Sequence, residues 1–306
     1  TSADSFSTAN TAFVIGNGAN AGSLSDAFKV MFNGDTYVSN SLYLGGTEIT
    51  STATELNLLT GATSLGTGIL SPVTENSNTG VRLSTAVAAN HGDIGSNAVD
   101  LSYSISASTT RGATGESSTA MGYETTASGY DSTAMGGGTT ASGNASTAMG
   151  DNTTASGSVS TAMGLYTTAS GDYSTAMGRS TEASGDYSTA MGRDTEASGD
   201  YSTAMGNGTT ASGEVSTAMG QSTEASGTYS TAMGAVTTAS DYGSLVIGRY
   251  NSSGSTVTNS ATAFSTANTA FVIGNGADGN NISDAFSILF DGTTNIAGSV
   301  TATSFV

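Results

Sequence analysis

Between residues 113 and 248 the polar and apolar positions follow a fixed cycle of fourteen. Its marker is methionine, at Met121, Met135, Met149, Met163, Met177, Met191, Met205, Met219 and Met233. Around each the chain reads Ser-Thr-Ala-Met-Gly, two variable residues, Thr-x-Ala-Ser, nearly always Gly, and two more variable residues. Ser244-Leu245-Val246-Ile247-Gly248 is a degenerate closing copy, and Ala113-Thr114-Gly115 an opening half-copy. So strict a register marks each cycle as one structural unit stacked on the next. Fourteen residues accommodate two strands of about five and two tight corners. Gly after Met and Gly after Ala-Ser fit those corners, since Gly accepts positive φ without a Cβ clash. Two Gly and several Ser/Thr per cycle would cost a helix several kcal/mol. The pattern therefore predicts an all-β chain, with each cycle one coil of a parallel β-roll rising ~4.8 Å and nine coils spanning roughly 43 Å.

Alternation along the strands assigns the faces. In Thr-x-Ala-Ser, x is Thr or Glu (Glu182, Glu196, Glu224), so it faces water. Thr125 and Ala127 then face inward and Ser128 outward. In Ser-Thr-Ala-Met-Gly a narrow roll has room for Ala and Ser, which places Ala120 inside and Thr119 and Met121 outside. The nine Met then form an apolar strip longer than soluble monomers usually expose. Three rolls around one axis would cover it, making these Met a trimer seam. The competing arrangement puts Met inside a lone roll.

The flanks carry a second repeat. Phe6–Ala19 reads FSTANTAFVIGNGA, and Phe264–Ala277 repeats it without a change, offset by 258 residues (264 − 6). The likeness continues through Ser25-Asp26-Ala27-Phe28 against Ser283-Asp284-Ala285-Phe286, and Phe32-Asn33-Gly34 against Phe290-Asp291-Gly292. A strand over Ala27–Phe32 ending in an Asn-Gly turn fits this pattern. These modules are expected to cap the roll, whose open strand edges would otherwise invite aggregation. Thr52-x-x-Glu55 before Leu56, Leu58 and Leu59, with Gly61 as a stop, predicts a short neck helix. The expected organisation is a β module over 1–45, a helical neck or linker over 46–72, and a connector with opening coils over 73–117. The roll follows over 118–248, a linker over 249–263, and the second β module over 264–306.

Composition sharpens this picture. Leu, Ile, Val and Phe make up 47 of 306 residues, and the formal net charge is −18. Such values ordinarily mean disorder, so folding must rest on small side chains held in register. No segment approaches the ~20 apolar residues that span a bilayer. The acidity disfavours nucleic acid and anionic membranes as partners. With no cysteine there is neither disulfide framework nor thiolate metal site. The chain begins at Thr1 without an initiator Met, the mark of a processed form or a fragment.

Ser-Thr-Ala-Met-Gly-x-x-Thr-x-Ala-Ser-Gly resembles the head repeat of YadA-type trimeric autotransporter adhesins, with Thr and Met where that family prefers Val and Ile. The resemblance covers about 113–248 and implies a left-handed parallel β-roll that forms a homotrimer. Ile49–Leu59 resembles a motif of phage tail-fibre proteins. Gly298–Val306 resembles the stretch that precedes self-cleaving intramolecular chaperone domains of such fibres.

Candidate chemistry is sparse. His91, the only histidine, builds neither a metal cluster nor a Ser/His/Asp triad by itself and reads as structural or exposed. Arg179 with Glu182 and Arg193 with Glu196 read as surface charge pairs of little worth. Tyr173, Tyr187 and Tyr201 share one corner in consecutive coils, each preceded by Asp172, Asp186 or Asp200. They form an aromatic ladder beside a carboxylate ladder. The readings are solvated corners, a glycan platform, or carboxylates that hold Ca²⁺. No cofactor is expected. The functional expectation is a non-enzymatic extracellular fibre, on a cell surface or a virion, that binds a surface glycan or protein receptor and joins end to end with further copies. The alternative is an ice- or mineral-binding solenoid. It would use the outward row Thr126, Thr140, Thr154, Thr168, Thr210 and Thr238, interrupted by the three Glu. A polysaccharide-degrading solenoid would need a paired acid and nucleophile that the sequence does not present.

Overall fold

A computed structural model describes residues 11–16, 26–33, 35–38, 42–44, 47–49 and 69–301. The chain divides into two units, 1–66 and 67–306. Each of the nine Met cycles forms a long strand such as Thr119–Tyr123 and a short one such as Thr126–Ala127, and the closing copy only the long strand Leu245–Arg249. The long strands stack in register, Thr119 on Thr133, Ala120 on Ala134 and Met121 on Met135, and so on along the roll. They form the parallel body of a sixteen-stranded sheet, and the short ones a ten-stranded sheet. The result is the expected parallel β-solenoid with a fourteen-residue coil.

The coil differs from expectation in two details. Its second strand is two residues long, because Ser128 and Gly129 both donate to the Ala141 carbonyl as the backbone turns away. The glycines also divide their work. Gly122 has φ +117°, whereas Gly129 is excluded from a side chain by space alone, since a Cβ there would strike the Gly143 carbonyl of the next coil. The tightest corners fall on non-glycine residues in the left-handed region, among them Glu124 (φ 51°), Asp131 (φ 53°) and Tyr173 (φ 57°). Stacking holds these residues where their own preference would not.

The core is made of small residues. Ala120, Ala127 and their equivalents are wholly buried, with Ser118 and Thr125 equivalents beside them. Two Ala methyl groups per coil contribute only about 1.6 kcal/mol by burial. Cohesion therefore leans on the backbone ladder between coils, as in Thr119 N–H to the Ser132 carbonyl (2.8 Å) and Thr126 N–H to Thr139 (2.8 Å).

Both ends of the roll are finished differently from its middle. At the start, the antiparallel strands Leu70–Glu75 and Asn78–Leu83 precede the parallel stack. At the far end, Thr269–Asn275 lies parallel on the last coil, Val246 against Val272 and Ile247 against Ile273. It then pairs antiparallel with Asp284–Leu289, which pairs with Thr294–Ile296. Residues 249–263 close the other sheet. The Asn251 amide bonds both the N–H and the carbonyl of Thr238 (2.9 and 2.8 Å), standing in for a missing strand.

In the first unit, Thr11–Gly16 pairs with Asp26–Met31 and that with Thr36–Val38. Register and irregularities reproduce those of the C-terminal module, with Gly16 opposite Asp26 as Gly274 is opposite Asp284. Phe13 meets Phe28 edge-on at 6.2 Å, and the equivalent Phe271 meets Phe286 with tilted rings at 5.9 Å. Leu42–Leu44 and Thr47–Ile49 form a separate hairpin. The expected helix over 52–61 lies outside the described residues, as do most of Ile49–Leu59 and the end of Gly298–Val306.

Candidate functional site

Two surfaces and one buried cluster carry the distinctive chemistry. The first surface is the methionine row. Alternation in the long strand turns Ala120 into the roll and Met121 out of it, so the nine Met stand in file on the outer face, partly exposed. The arrangement with Met inside the roll is thereby excluded, since Ala and Ser fill the interior. Register extends the file at both ends, through Leu101 below Met121 and through Ile247 and Ile273 above Met233.

The second surface is the corner ladder. Tyr173 stacks on Tyr187 and Tyr187 on Tyr201, with centroids 4.9 Å apart in both pairs and planes inclined by 3° and 1°. The rings are about half exposed, but Tyr187 is covered on both faces by its neighbours. Their outward offering is a row of edges and hydroxyls, with one open face at each end. Desolvation within the stack, reinforced by Tyr173, Tyr201, Asp186 and Asp172, pushes the Tyr187 hydroxyl above the ordinary tyrosine value. The aspartates are already engaged. Asp172 Oδ1 accepts the Ser158 N–H (2.8 Å), Asp186 that of Asp172 (2.9 Å), and Asp200 that of Asp186 (3.0 Å). Each carboxylate ties its own coil to the preceding one. Among the described residues no group of three acidic or histidine side chains is arranged to hold a metal ion.

The charge pairs differ from expectation. Arg193 turns to its neighbour Asp194 (2.9 Å) instead of Glu196, and Arg179 forms no ion pair with Glu182. Glu182 and Glu196 instead lie side by side in the short-strand sheet.

The buried cluster was not legible as a site. Asp100 occupies the inward position that Ala120 holds one coil on. Its Oδ2 takes Arg82 Nε (3.1 Å) and lies 3.0 Å from His91 Nδ1, while its Oδ1 accepts Ser102 N–H (3.0 Å) and Oγ–H (2.6 Å). Arg82 also grips Glu75 with both terminal nitrogens (3.0 and 3.2 Å) and donates to the Gly92 carbonyl (2.8 Å). Burial alone would raise the Asp100 carboxyl. The hydrogen bonds from His91 and Ser102 outweigh it and hold the group below the usual carboxylate value. Ser, His and Asp do meet here, but Ser102 and Asp100 share the same histidine nitrogen and the serine donates to the aspartate. A nucleophilic triad needs the serine on the opposite nitrogen. This is a polar plug for the first coil, which makes His91 structural and buried. Its members come from four separate segments with no common spacing, so no sequence pattern announces them.

A stack of identical coils with small-residue cores, stapled across its corners, is a structural solenoid. Over the same stretch the YadA head domain repeat matches in five consecutive two-copy segments, 113–139, 141–167, 169–195, 197–223 and 225–251. Residues 113–251 are thus a run of YadA-type head repeats. A search of curated proteins with the whole chain finds no match.

Proposed function

We propose that the chain is the roll-bearing part of a homotrimeric extracellular fibre that attaches to a surface or host. The observation that carries this reading is the continuous apolar file from Leu101 through nine Met to Ile273, outside a roll whose own core is already full. A strip this long needs cover, and threefold association of YadA-type heads supplies it. The seam would then be Met121, Met135, Met149, Met163, Met177, Met191, Met205, Met219 and Met233.

Light scattering tests the seam and should give three times the chain mass. Replacing Met163 and Met177 with Asp should dissociate or unfold the assembly, since three carboxylates per layer would be buried at the axis. A folded monomer of the unchanged chain, or a trimer indifferent to both substitutions, would refute it.

For the receptor, the proposed contact is the Tyr173, Tyr187, Tyr201 corner with Asp172, Asp186 and Asp200, repeated around the trimer so that weak contacts gain by avidity. A glycan there would meet hydroxyls and the two end faces, since the inner faces are stacked away. The Thr array is a poorer ligand surface, because Glu182, Glu196 and Glu224 stand exposed within it. Replacing the three Tyr with Ser should leave circular dichroism unchanged and reduce adhesion to the native surface. Undiminished adhesion would remove the ladder from consideration.

A further inference from the structure

In their described strands the two copies of the FSTANTAFVIGNGA module share pairing and register but differ in what pairs with the first strand. In the C-terminal copy, strand Thr269–Asn275 lies between the last coil and its own hairpin partner, and Val272 is wholly buried against Val246. Its attachment is specific. The Thr269 N–H donates to Asp241 of the coil beneath (2.8 Å), and Asp284 accepts from Ser252 and Ser253 N–H (2.9 and 2.8 Å). Glycine at 274 is required because a Cβ there would press on the Arg249 carbonyl and Asn251.

In the N-terminal copy, strand Thr11–Gly16 is the edge of a three-stranded sheet, paired among the described residues with Asp26–Met31 alone. All six of its residues are exposed, Val14 at 45%. Yet Thr11, Val14, Gly16 and Asp26 keep the residue types that Thr269, Val272, Gly274 and Asp284 use to grip a coil. An edge that, among the described residues, has no second strand beside it has no use for a buried-type Val, and open edges are usually blunted.

We propose that the N-terminal module is the closing cap of another β-roll, carried ahead of Thr1 in the same polypeptide. The last coil of that roll lies parallel on Thr11–Gly16 as Leu245–Arg249 lies on Thr269–Asn275. Within the described residues this chain has no coil to offer in that role, since its own last coil already carries the C-terminal copy. The fibre is then a series of rolls, each ended by the same module. This inference stands apart from the trimer seam, because docking at this edge uses the inward-facing Val row and not the Met file.

The test extends the full chain by joining a copy of its own residues 113–263 directly ahead of Phe6. Amide hydrogen exchange is then compared in the unextended chain, the extended chain, and the extended chain carrying Val14→Asp. Amides of Thr11–Gly16 should slow at least tenfold on extension, approaching those of Thr269–Asn275. Val14→Asp should abolish that gain while peptides within 118–248 stay protected. Exchange unchanged by extension, or a gain indifferent to Val14→Asp, would overturn the proposal. So would concentration-dependent protection of the unextended chain, which would make a second copy the occupant.

Discussion

At the scale of single residues the roll tolerates polar groups that a thicker core would not. The hydroxyls of Thr125, Thr139, Thr153, Thr167 and their equivalents are buried without a hydrogen-bond partner, as are most of the inward Ser. Each such group costs about 1–3 kcal/mol of desolvation. Valine has the same shape without the hydroxyl. Thr153→Val and Thr167→Val should therefore each raise stability by about 1 kcal/mol in urea or thermal melts. Asp100 is the opposite case. Asp100→Ala takes the buried acceptor from Arg82 Nε and His91 Nδ1, while Arg82 keeps Glu75, and should cost about 3 kcal/mol. Its carboxyl is held low in the folded chain, so it stabilises above the unfolded value of about 4 and loses that contribution as pH falls through the folded value. Melting temperature should be flat above about pH 5 and fall below pH 4, with amides of Val99–Tyr103 opening before those of the middle coils. The reverse order of opening would detach the acid response from the plug.

At the scale of the coil, neighbouring glycines answer to different constraints. Gly136 has φ +127°, and a Cβ there would drive into the Gly150 carbonyl, whereas Gly137 meets only Asp151 Oδ1 at 3.3 Å. Gly136→Ala should cost more than about 3 kcal/mol or stop the roll from closing, while Gly137→Ala should stay within about 1 kcal/mol. Paired denaturant titrations decide it, and equal effects would refute the assignment. These details mark the limit of what the sequence shows. Period, strand stacking, inward Ala and outward Met follow from alternation, because a fourteen-residue cycle repeats every constraint many times over. The corner conformations of Tyr173 and Tyr187 do not follow. There the left-handed backbone is imposed by the coil beneath, against the preference of the residue. The aspartate staples were equally hidden, since an Asp before a Tyr looks the same whether it meets water or the backbone fourteen residues earlier.

At the scale of the whole roll, identical coils should be interchangeable units whose stabilities nearly add. Removing Asn144–Gly157, which joins Gly143 to Ser158, deletes one period and keeps every register. That chain should fold with a slightly lower melting temperature, whereas removing only Asn144–Asp151 should destroy the stack. Circular dichroism of the two deletions separates them, and tolerance of the shorter one would contradict register control. The ladder bonds, such as Thr119 N–H to Ser132, join each coil to the next and therefore run along the roll axis. Tension along that axis loads them in series and peels coils singly, not all at once in shear. Each coil released would lengthen a tether by about 43 Å, fourteen extended residues less one coil spacing. A roll pulled by its ends is then a shock absorber that yields in equal steps, with the aspartate-stapled coils the last to give.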